Sequence, residues 1–247
     1  GAVESSPTAT DRATATSRSP SSRRVFRFDP GVIEVDAPVA NDSQQWRVRD
    51  VAVDGERVYA VAAAHDDDQL PADLGAVFAL DPANGERPWT ARLTPDSDGR
   101  PTPARSVTVR GGRVYVTGSE RVYAFDSADG SRLWQSSRWD GLRPTLHAVA
   151  RGTVFLGGST GVRALDAASG RRRWRRPGFD VFDLAAAGGT LFVLSRSPDS
   201  DRASLVALAA SGRDLWGVTV DAPVTTITPA RGRLYAGTDD GRLLAFE

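Results

Sequence analysis

Short runs in which apolar and polar residues alternate cover the chain from Arg24 onward. The clearest consecutive runs are Ser106–Arg110, residues 112–118 and residues 121–126. Alternation rich in β-branched and aromatic residues, bounded by glycine and aspartate, is typical of strands joined by tight turns. Similar runs recur at residues 57–61, 153–157, 190–194 and 233–237. The pattern therefore predicts an all-β protein built from short antiparallel strands.

A longer unit repeats along these strands. Its frame is Ala, any residue, Asp, three residues, Gly, three residues and Trp, and it occurs in full three times. A fourth copy is one residue shorter and has Ala209 in place of Asp, and a fifth begins at Ala245. The frame positions are Ala79, Asp81, Gly85, Trp89, Ala124, Asp126, Gly130, Trp134, Ala164, Asp166, Gly170, Trp174, Ala207, Gly212 and Trp216. Units of 40 to 45 residues with four strands each predict a β-propeller.

The number of blades depends on the two ends of the repeat region. Val58, in the next hairpin, lies only 12 residues after Trp46, so one strand fits there and Trp46 does not end an earlier blade. Residues 31–39 are similar in sequence to residues 217–224, an outermost strand that leads into the next blade. We predict five blades, with residues 25–36 supplying the outermost strand of the fifth and removing an exposed edge. Six blades, or an open fragment of a longer propeller, are the alternatives.

The frame resembles the tryptophan-docking repeat of quinoprotein dehydrogenases, which use pyrroloquinoline quinone (PQQ). The same PQQ-like repeat occurs in the non-enzymatic scaffold lipoprotein of the bacterial outer-membrane β-barrel assembly machinery and in extracellular sensor domains of some bacterial kinases. The resemblance covers residues 25–247. It implies a propeller whose blades are held together by the frame.

The same resemblance implies what a catalytic member would need. The quinoprotein enzymes use PQQ with a calcium ion, a catalytic Asp and, in many members, a disulfide between adjacent cysteines. This chain has no cysteine, is far shorter than those enzymes and shows no recognisable set of calcium ligands. We therefore expect a scaffold member without a cofactor, closest in character to the assembly lipoprotein.

Each position of the frame has a physical reason. A small Ala leaves space against the neighbouring blade, Asp accepts backbone N–H bonds in the turn, and Gly takes a positive φ there. Trp buries a large flat surface against the adjacent blade, and its indole N–H needs an acceptor. We assign these residues to docking between blades and none of them to catalysis.

Composition narrows the class of partner. The chain of 247 residues carries 31 basic and 31 acidic residues, so its formal charge is zero. Balanced charge argues against a protein whose main task is to bind a nucleic-acid backbone or an anionic membrane. The absence of cysteine excludes disulfides, thiolate metal sites and cysteine nucleophiles.

The first 24 residues differ from the rest of the chain. They are rich in Ser, Thr, Ala, Pro and Arg, and too few are apolar to offset the entropy of ordering them. We predict a flexible tail or linker over residues 1–24 and a propeller domain over residues 25–247. Such tails often tether exported domains, including lipoproteins, and a merely disordered terminus is the equally supported alternative. We expect an extracytoplasmic location, in the periplasm or at the cell surface. Membrane contact is expected only through this tail.

Several polar segments are candidate metal sites. One insertion between the second and third strands of the first blade contains His65, Asp66, Asp67 and Asp68. Imidazole and carboxylates suit a divalent cation, although an exposed acidic loop is the favoured interpretation. Residues 95–99 and 198–201 have two carboxylates at calcium-loop spacing but lack the bidentate Glu, which favours solvated turns. His147, on an inner strand, is interpreted as structural because no second His is near it.

A basic cluster surrounds the third docking Trp. Its members are Arg171, Arg172, Arg173, Arg175 and Arg176. Guanidinium groups suit phosphate or an acidic partner protein. On an outer strand, the same charges discourage edge-to-edge aggregation. Partner binding and edge protection are both retained as interpretations.

The sequence favours a non-enzymatic, monomeric propeller scaffold for protein–protein interaction, with no nucleic-acid partner. No nucleophile elbow, P-loop or dinucleotide fingerprint is present. One alternative is a PQQ-dependent dehydrogenase-like enzyme that uses the central channel. Another is an extracellular ligand-sensing domain, which needs a deep apolar pocket.

Overall fold

The computed structural model describes residues 44–66, 75–95, 102–138, 146–196 and 202–247. All regular secondary structure in these ranges is β-strand, and no helix there could cross a membrane. The strands form four sheets of four and one sheet of three, all antiparallel.

The strands follow one another in simple up-and-down order. The first sheet contains β1 (Gln44–Val53), β2 (Val58–Asp66), β3 (Gly75–Leu80) and β4 (Trp89–Arg92). The second contains β5 (Ser106–Arg110), β6 (Arg113–Thr117), β7 (Val122–Asp126) and β8 (Arg132–Gln135). The third contains β9 (Leu146–Ala150), β10 (Thr153–Gly158), β11 (Gly161–Asp166) and β12 (Arg172–Pro177). The fourth contains β13 (Val181–Ala187), β14 (Thr190–Arg196), β15 (Ala203–Ala209) and β16 (Asp214–Val220), and the fifth contains β17 (Val224–Ala230), β18 (Arg233–Thr238) and β19 (Leu243–Phe246).

Successive sheets pack through their first strands. β1 contacts β5, β5 contacts β9, β9 contacts β13, and β13 contacts β17. The first strand of each sheet is therefore innermost and the last is outermost, as in the blades of a propeller. The predicted all-β propeller of four-stranded blades is confirmed. Trp46 lies in β1, the innermost strand of the first sheet, so the single strand expected there is also found.

The predicted number of blades depends on the first and fifth sheets and on the segment before β1. Within the described ranges, β17 and β1 do not pack against each other as the other innermost strands do. Residues 25–36, expected to complete the fifth sheet, and the tail over residues 1–24 lie outside those ranges. Five blades closed by the N-terminal segment therefore stays a prediction.

One boundary expected from the sequence is wrong. His65 and Asp66 were expected in an insertion loop, but they are the last two residues of β2. The reason is the length of β1, whose N-terminal end pairs Gln44 with Asp66 and Gln45 with His65. The hairpin therefore extends farther than in the other sheets.

Apolar side chains fill the spaces between adjacent sheets. Tyr59, Val61 and Trp89 of the first sheet, for example, form one cluster with Val107 and Val114 of the second. Corresponding clusters join the second sheet to the third, the third to the fourth, and the fourth to the fifth. The core is thus distributed over the interfaces between sheets, and contacts at those interfaces determine stability.

Candidate functional site

The Asp and Gly of the frame shape the turn between the third and fourth strands of a sheet. Asp126 Oδ1 accepts the Ala128 N–H at 2.8 Å, and Gly130 N–H donates to the Asp126 carbonyl at 3.0 Å. Gly130 has a φ of 74°, a conformation that glycine adopts without strain. The same bonds from Asp81 and Asp166 form the turns that end at Gly85 and Gly170. Each carboxylate is therefore directed into its own turn.

The fourth copy forms its turn without a carboxylate. The Gly212 N–H donates to the Ala209 carbonyl at 2.8 Å, which closes a turn one residue shorter than the others. Gly212 again has a positive φ, of 86°. The shorter loop therefore does not need the Asp that Ala209 replaces.

The Trp of one sheet lies on the turn of the next sheet. Trp134 Nε1 donates to the Ala167 carbonyl at 3.1 Å, and a Cβ at Gly170 would lie 2.5 Å from Trp134 Cε3. Trp89 bonds the Ser127 carbonyl at 3.1 Å and Trp174 bonds the Ala210 carbonyl at 2.8 Å, with Gly130 and Gly212 against their rings. Only a residue without a side chain leaves room for the indole. The Gly therefore serves both the turn and the contact between sheets.

The Ala of the frame lies between two aromatic rings of its own sheet. Tyr59 pairs with Ala79 and Ala79 pairs with Trp89 on three adjacent strands, so all three side chains share one face. The ring centroids of Tyr59 and Trp89 are 5.9 Å apart. Since two strand spacings amount to roughly 9.5 Å, the rings lean together over the small side chain. The corresponding pairs are Tyr115–Trp134, Phe155–Trp174 and Phe192–Trp216, at 6.0 to 6.1 Å.

A second donor reinforces the interface between the first and second sheets. Arg57 Nη1 donates at 2.7 Å to the Ser127 carbonyl, the acceptor that Trp89 also uses. The Tyr59 hydroxyl donates to Asp54 Oδ2 at 2.8 Å. Burial, followed by this hydrogen bond to a carboxylate, raises the pKa of Tyr59 to about 12. Tyr59 is therefore held neutral as part of the interface and is poorly suited to proton transfer near neutral pH.

Two aspartates that the sequence argument missed also join adjacent sheets. Asp50 Oδ2 accepts the Val107 N–H at 2.9 Å, and Asp183 Oδ2 accepts the Ile227 N–H at 2.8 Å. Each follows a β-bulge on an innermost strand. The two aspartates occupy the same position in similar segments, Val-Arg-Asp-Val at 48–51 and Val-Phe-Asp-Leu at 181–184. This similarity is the sequence signal that could have identified them. These bonds hold the first sheet to the second and the fourth to the fifth, near the central axis.

The structure divides the basic cluster into two groups. Arg173 bonds Thr153 and Asp166, and Arg176 bonds the Gly212 carbonyl and Asp214. The Arg173 guanidinium, together with the Ser169 hydroxyl, lowers the pKa of Asp166 to about 2. These two arginines therefore support the docking turns.

The other members of the cluster, Arg171, Arg172 and Arg175, are exposed. In the described part of the chain, no ion pair or hydrogen bond engages their guanidinium groups. Arg172 and Arg175 lie on β12, which is the outermost strand of its sheet. These three side chains remain available to a binding partner.

The candidate metal ligands are not brought together in the described ranges. Asp67, Asp68 and the carboxylates of residues 96–99 and 198–201 lie outside them, so their assignment stays a prediction. His147 lies on β9, an innermost strand, opposite Leu156. No group of three or more His, Asp or Glu residues that could hold a metal occurs among the described residues. The frame aspartates do not fit a calcium and quinone site either, because their oxygens bond their own turns.

These contacts define the chain as a β-propeller with tryptophan-docked blades. The family model described as outer membrane protein assembly factor BamB matches residues 29–180 and 178–247. The chain therefore belongs to this family of PQQ-like repeat proteins, and the family predicted from the docking frame is confirmed. No curated protein matches the chain significantly.

Two solved structures show the same fold. The crystal structure of BamB from Moraxella catarrhalis has 17% sequence identity and a TM-score of 0.56, covering 79% of this chain and 70% of that one. Hydrazine synthase from Kuenenia stuttgartiensis has 13% identity and a TM-score of 0.54, covering 83% of this chain and 59% of that one. At these identities the likeness concerns the fold alone. Since one is an assembly factor and the other a synthase, function must be argued from the residues.

Proposed function

We propose that the chain is a non-enzymatic propeller scaffold that binds a partner protein outside the cytoplasm. The observation that carries this proposal is the use of the frame residues. The carboxylates, glycines and indoles that resemble a quinone-protein signature make contacts within the turns and between sheets. A rigid stack of sheets held this way presents its edges and loops to other proteins.

The family supports the same conclusion. Its model is described as an outer membrane assembly factor, and the Moraxella protein of similar fold carries the same name. The tail rich in Ser, Thr and Pro supports an extracytoplasmic location, in the periplasm or at the cell surface. We propose that membrane contact is made only through that tail.

The surface that we assign to the partner contains Arg171, Arg172 and Arg175. Arginine forms bidentate bonds with carboxylates, so the partner segment should be acidic. Because Arg173 and Arg176 are already engaged by Asp166 and Asp214, they are excluded from this surface. This separates binding arginines from structural ones within the short segment from Arg171 to Arg176.

Changing Arg171, Arg172 and Arg175 together to Gln should weaken binding of an acidic peptide by at least about tenfold. A fluorescent hexaglutamate peptide serves as the probe, and fluorescence anisotropy measures its affinity. Since the three side chains are exposed, the free energy of unfolding should change by less than about 0.5 kcal/mol.

The matched control changes three other exposed arginines, Arg49, Arg105 and Arg110, to Gln. It removes the same charge from the chain but leaves the outer strand β12 intact. The control should bind the peptide as the original protein does. Equal weakening by both triple variants would show that only net charge matters, and would contradict the assigned surface.

A further inference from the structure

One end of the third, fourth and fifth sheets carries an excess of positive charge. The hairpin turn between the first two strands of each sheet lies at this end, together with the turn after the third strand, and we call it the turn end. Among the described residues of these sheets, every side-chain carboxylate at the turn end is paired. The pairs are Asp166 with Arg173, Asp214 with Arg176, and Glu247 with Arg233.

Five other arginines at the turn end are exposed. They are Arg151, Arg171, Arg172, Arg213 and Arg231. In the part of the chain that the structure describes, no ion pair or hydrogen bond engages their guanidinium groups. An anion that reaches the turn end therefore meets free donors and no competing carboxylate.

Two of these arginines occupy positions that strain the backbone. Arg151 and Arg231 are the first residues of two-residue hairpin turns, with φ of 46° and 49°. A positive φ is unfavourable for a residue with a Cβ, and glycine is a common choice in such turns. The corresponding turns of the second and fourth sheets have Gly111 and Gly188 at this position, each with a φ of 60°. Strain of this kind concentrates at functional sites, so these two turn tips are candidate binding positions.

Arg151 lies near two of the arginines already assigned to the partner. The Ala167 N–H donates to the Gly152 carbonyl at 2.9 Å, which joins the two turns of the third sheet. Arg171 and Arg172 lie where the second of these turns leads into β12. With neighbouring strands about 4.8 Å apart, the backbones of Arg151 and Arg172 are roughly 10 to 14 Å apart. About four extended residues of a bound segment span this distance.

The turn between Arg151 and Arg231 has no side chain that would obstruct a bound segment. Since β13 packs against both β9 and β17, the Gly188–Gly189 turn lies between the turns that contain the two arginines. A Cβ at Gly188 would have nothing within 4 Å, whereas a Cβ at Gly189 would lie 3.0 Å from Arg151 Cδ. The Arg151 stem therefore rests on the next turn and is directed toward the fourth sheet. Because packed sheets lie about 10 Å apart, the backbones of Arg151 and Arg231 are roughly 20 Å apart.

We propose that the acidic segment of the partner continues from β12 across the turn end, past Arg151 to Arg231. This inference rests on the proposed function and adds the length and direction of the bound segment. The whole path is roughly 30 to 35 Å, which about ten extended residues cover. Guanidinium groups form bidentate bonds with carboxylates, so Asp or Glu should recur along the whole segment.

Changing Arg151 and Arg231 together to Asn should weaken binding of a twelve-residue polyglutamate peptide by at least about tenfold. Asn tolerates a positive φ better than Arg, so the melting temperature should stay the same or rise. Fluorescence anisotropy at a fixed salt concentration measures the affinity, and circular dichroism follows thermal unfolding. A lower melting temperature of this variant would assign the two arginines to the fold and overturn the proposal.

The matched control changes Arg49 and Arg105 together to Asn. Both are exposed and lie away from the hairpin turns of their sheets, so this variant removes the same charge and should bind the peptide normally. Equal weakening by the two double variants, or full affinity of the turn-end variant, would contradict the proposal. In the second case, weaker binding by the Arg171, Arg172 and Arg175 variant would leave the proposed function standing without this extension. If the peptide does not bind the original protein, the proposed function itself is wrong.

Discussion

Replacement of Gly170 by alanine is expected to lower the free energy of unfolding by about 2 to 5 kcal/mol. Two effects add at this position. The φ of 71° is unfavourable for any residue with a Cβ, and the added methyl group would lie 2.5 Å from Trp134 Cε3. The bond from Trp134 to the Ala167 carbonyl holds the ring against this turn, so displacement of either to relieve the contact would strain that bond. Urea unfolding measures the loss.

Gly152 provides the matched control for this substitution. It lies in the same sheet with a φ of 69°, but a Cβ there would have nothing within 4 Å. Gly152→Ala should therefore cost only the backbone strain, about 1 to 2 kcal/mol. The difference between the losses of unfolding free energy at Gly170 and Gly152 measures the contribution of the Trp134 contact between sheets. Equal costs at the two positions would show that the Trp contact is unimportant.

Trp89→Ala is expected to lower the free energy of unfolding by about 3 to 5 kcal/mol, the range found when large aromatic residues are removed from a core. Trp89 is only 8% exposed, packs against Gly130 of the next sheet and forms a tilted pair with Tyr59. Its removal leaves a cavity at the interface that two rigid sheets cannot readily close. The same unfolding experiment measures this effect.

Trp89→Phe separates the ring from the hydrogen bond. It keeps an aromatic ring beside Tyr59 but removes the donor to the Ser127 carbonyl. Because Arg57 continues to satisfy that carbonyl, the loss of the bond should cost about 1 kcal/mol, with a smaller cost for the reduced ring. A Trp89→Ala protein within about 1 kcal/mol of the original would contradict the docking role.

The sequence predicted those features of the fold that depend on local spacing. Alternation of apolar residues predicted the strands, and the recurring Trp predicted four-stranded blades. The short interval after Trp46 correctly predicted one strand before the hairpin at Val58. Such features follow from neighbours along the chain, which a sequence displays directly.

Contacts between sheets were harder to predict because they join residues far apart in sequence. Asp50 bonds a backbone N–H 57 residues away, and the segment around Asp50 does not show which N–H it bonds. Arg173 and Arg175 look alike in sequence, yet only Arg173 reaches Asp166. The place of Ala79 between two rings likewise depends on the pairing register of three strands. Function depends on such contacts, and it was therefore less predictable than the fold.

The central claim is that the docking frame holds sheets together and does not form a quinone site. Titration of the purified full chain with PQQ and calcium, followed by absorbance and calorimetry, tests this claim most directly. Because Asp81, Asp126 and Asp166 are bonded within their turns, we expect no saturable binding and no dye-linked dehydrogenase activity. Tight binding of one PQQ per chain would contradict the account.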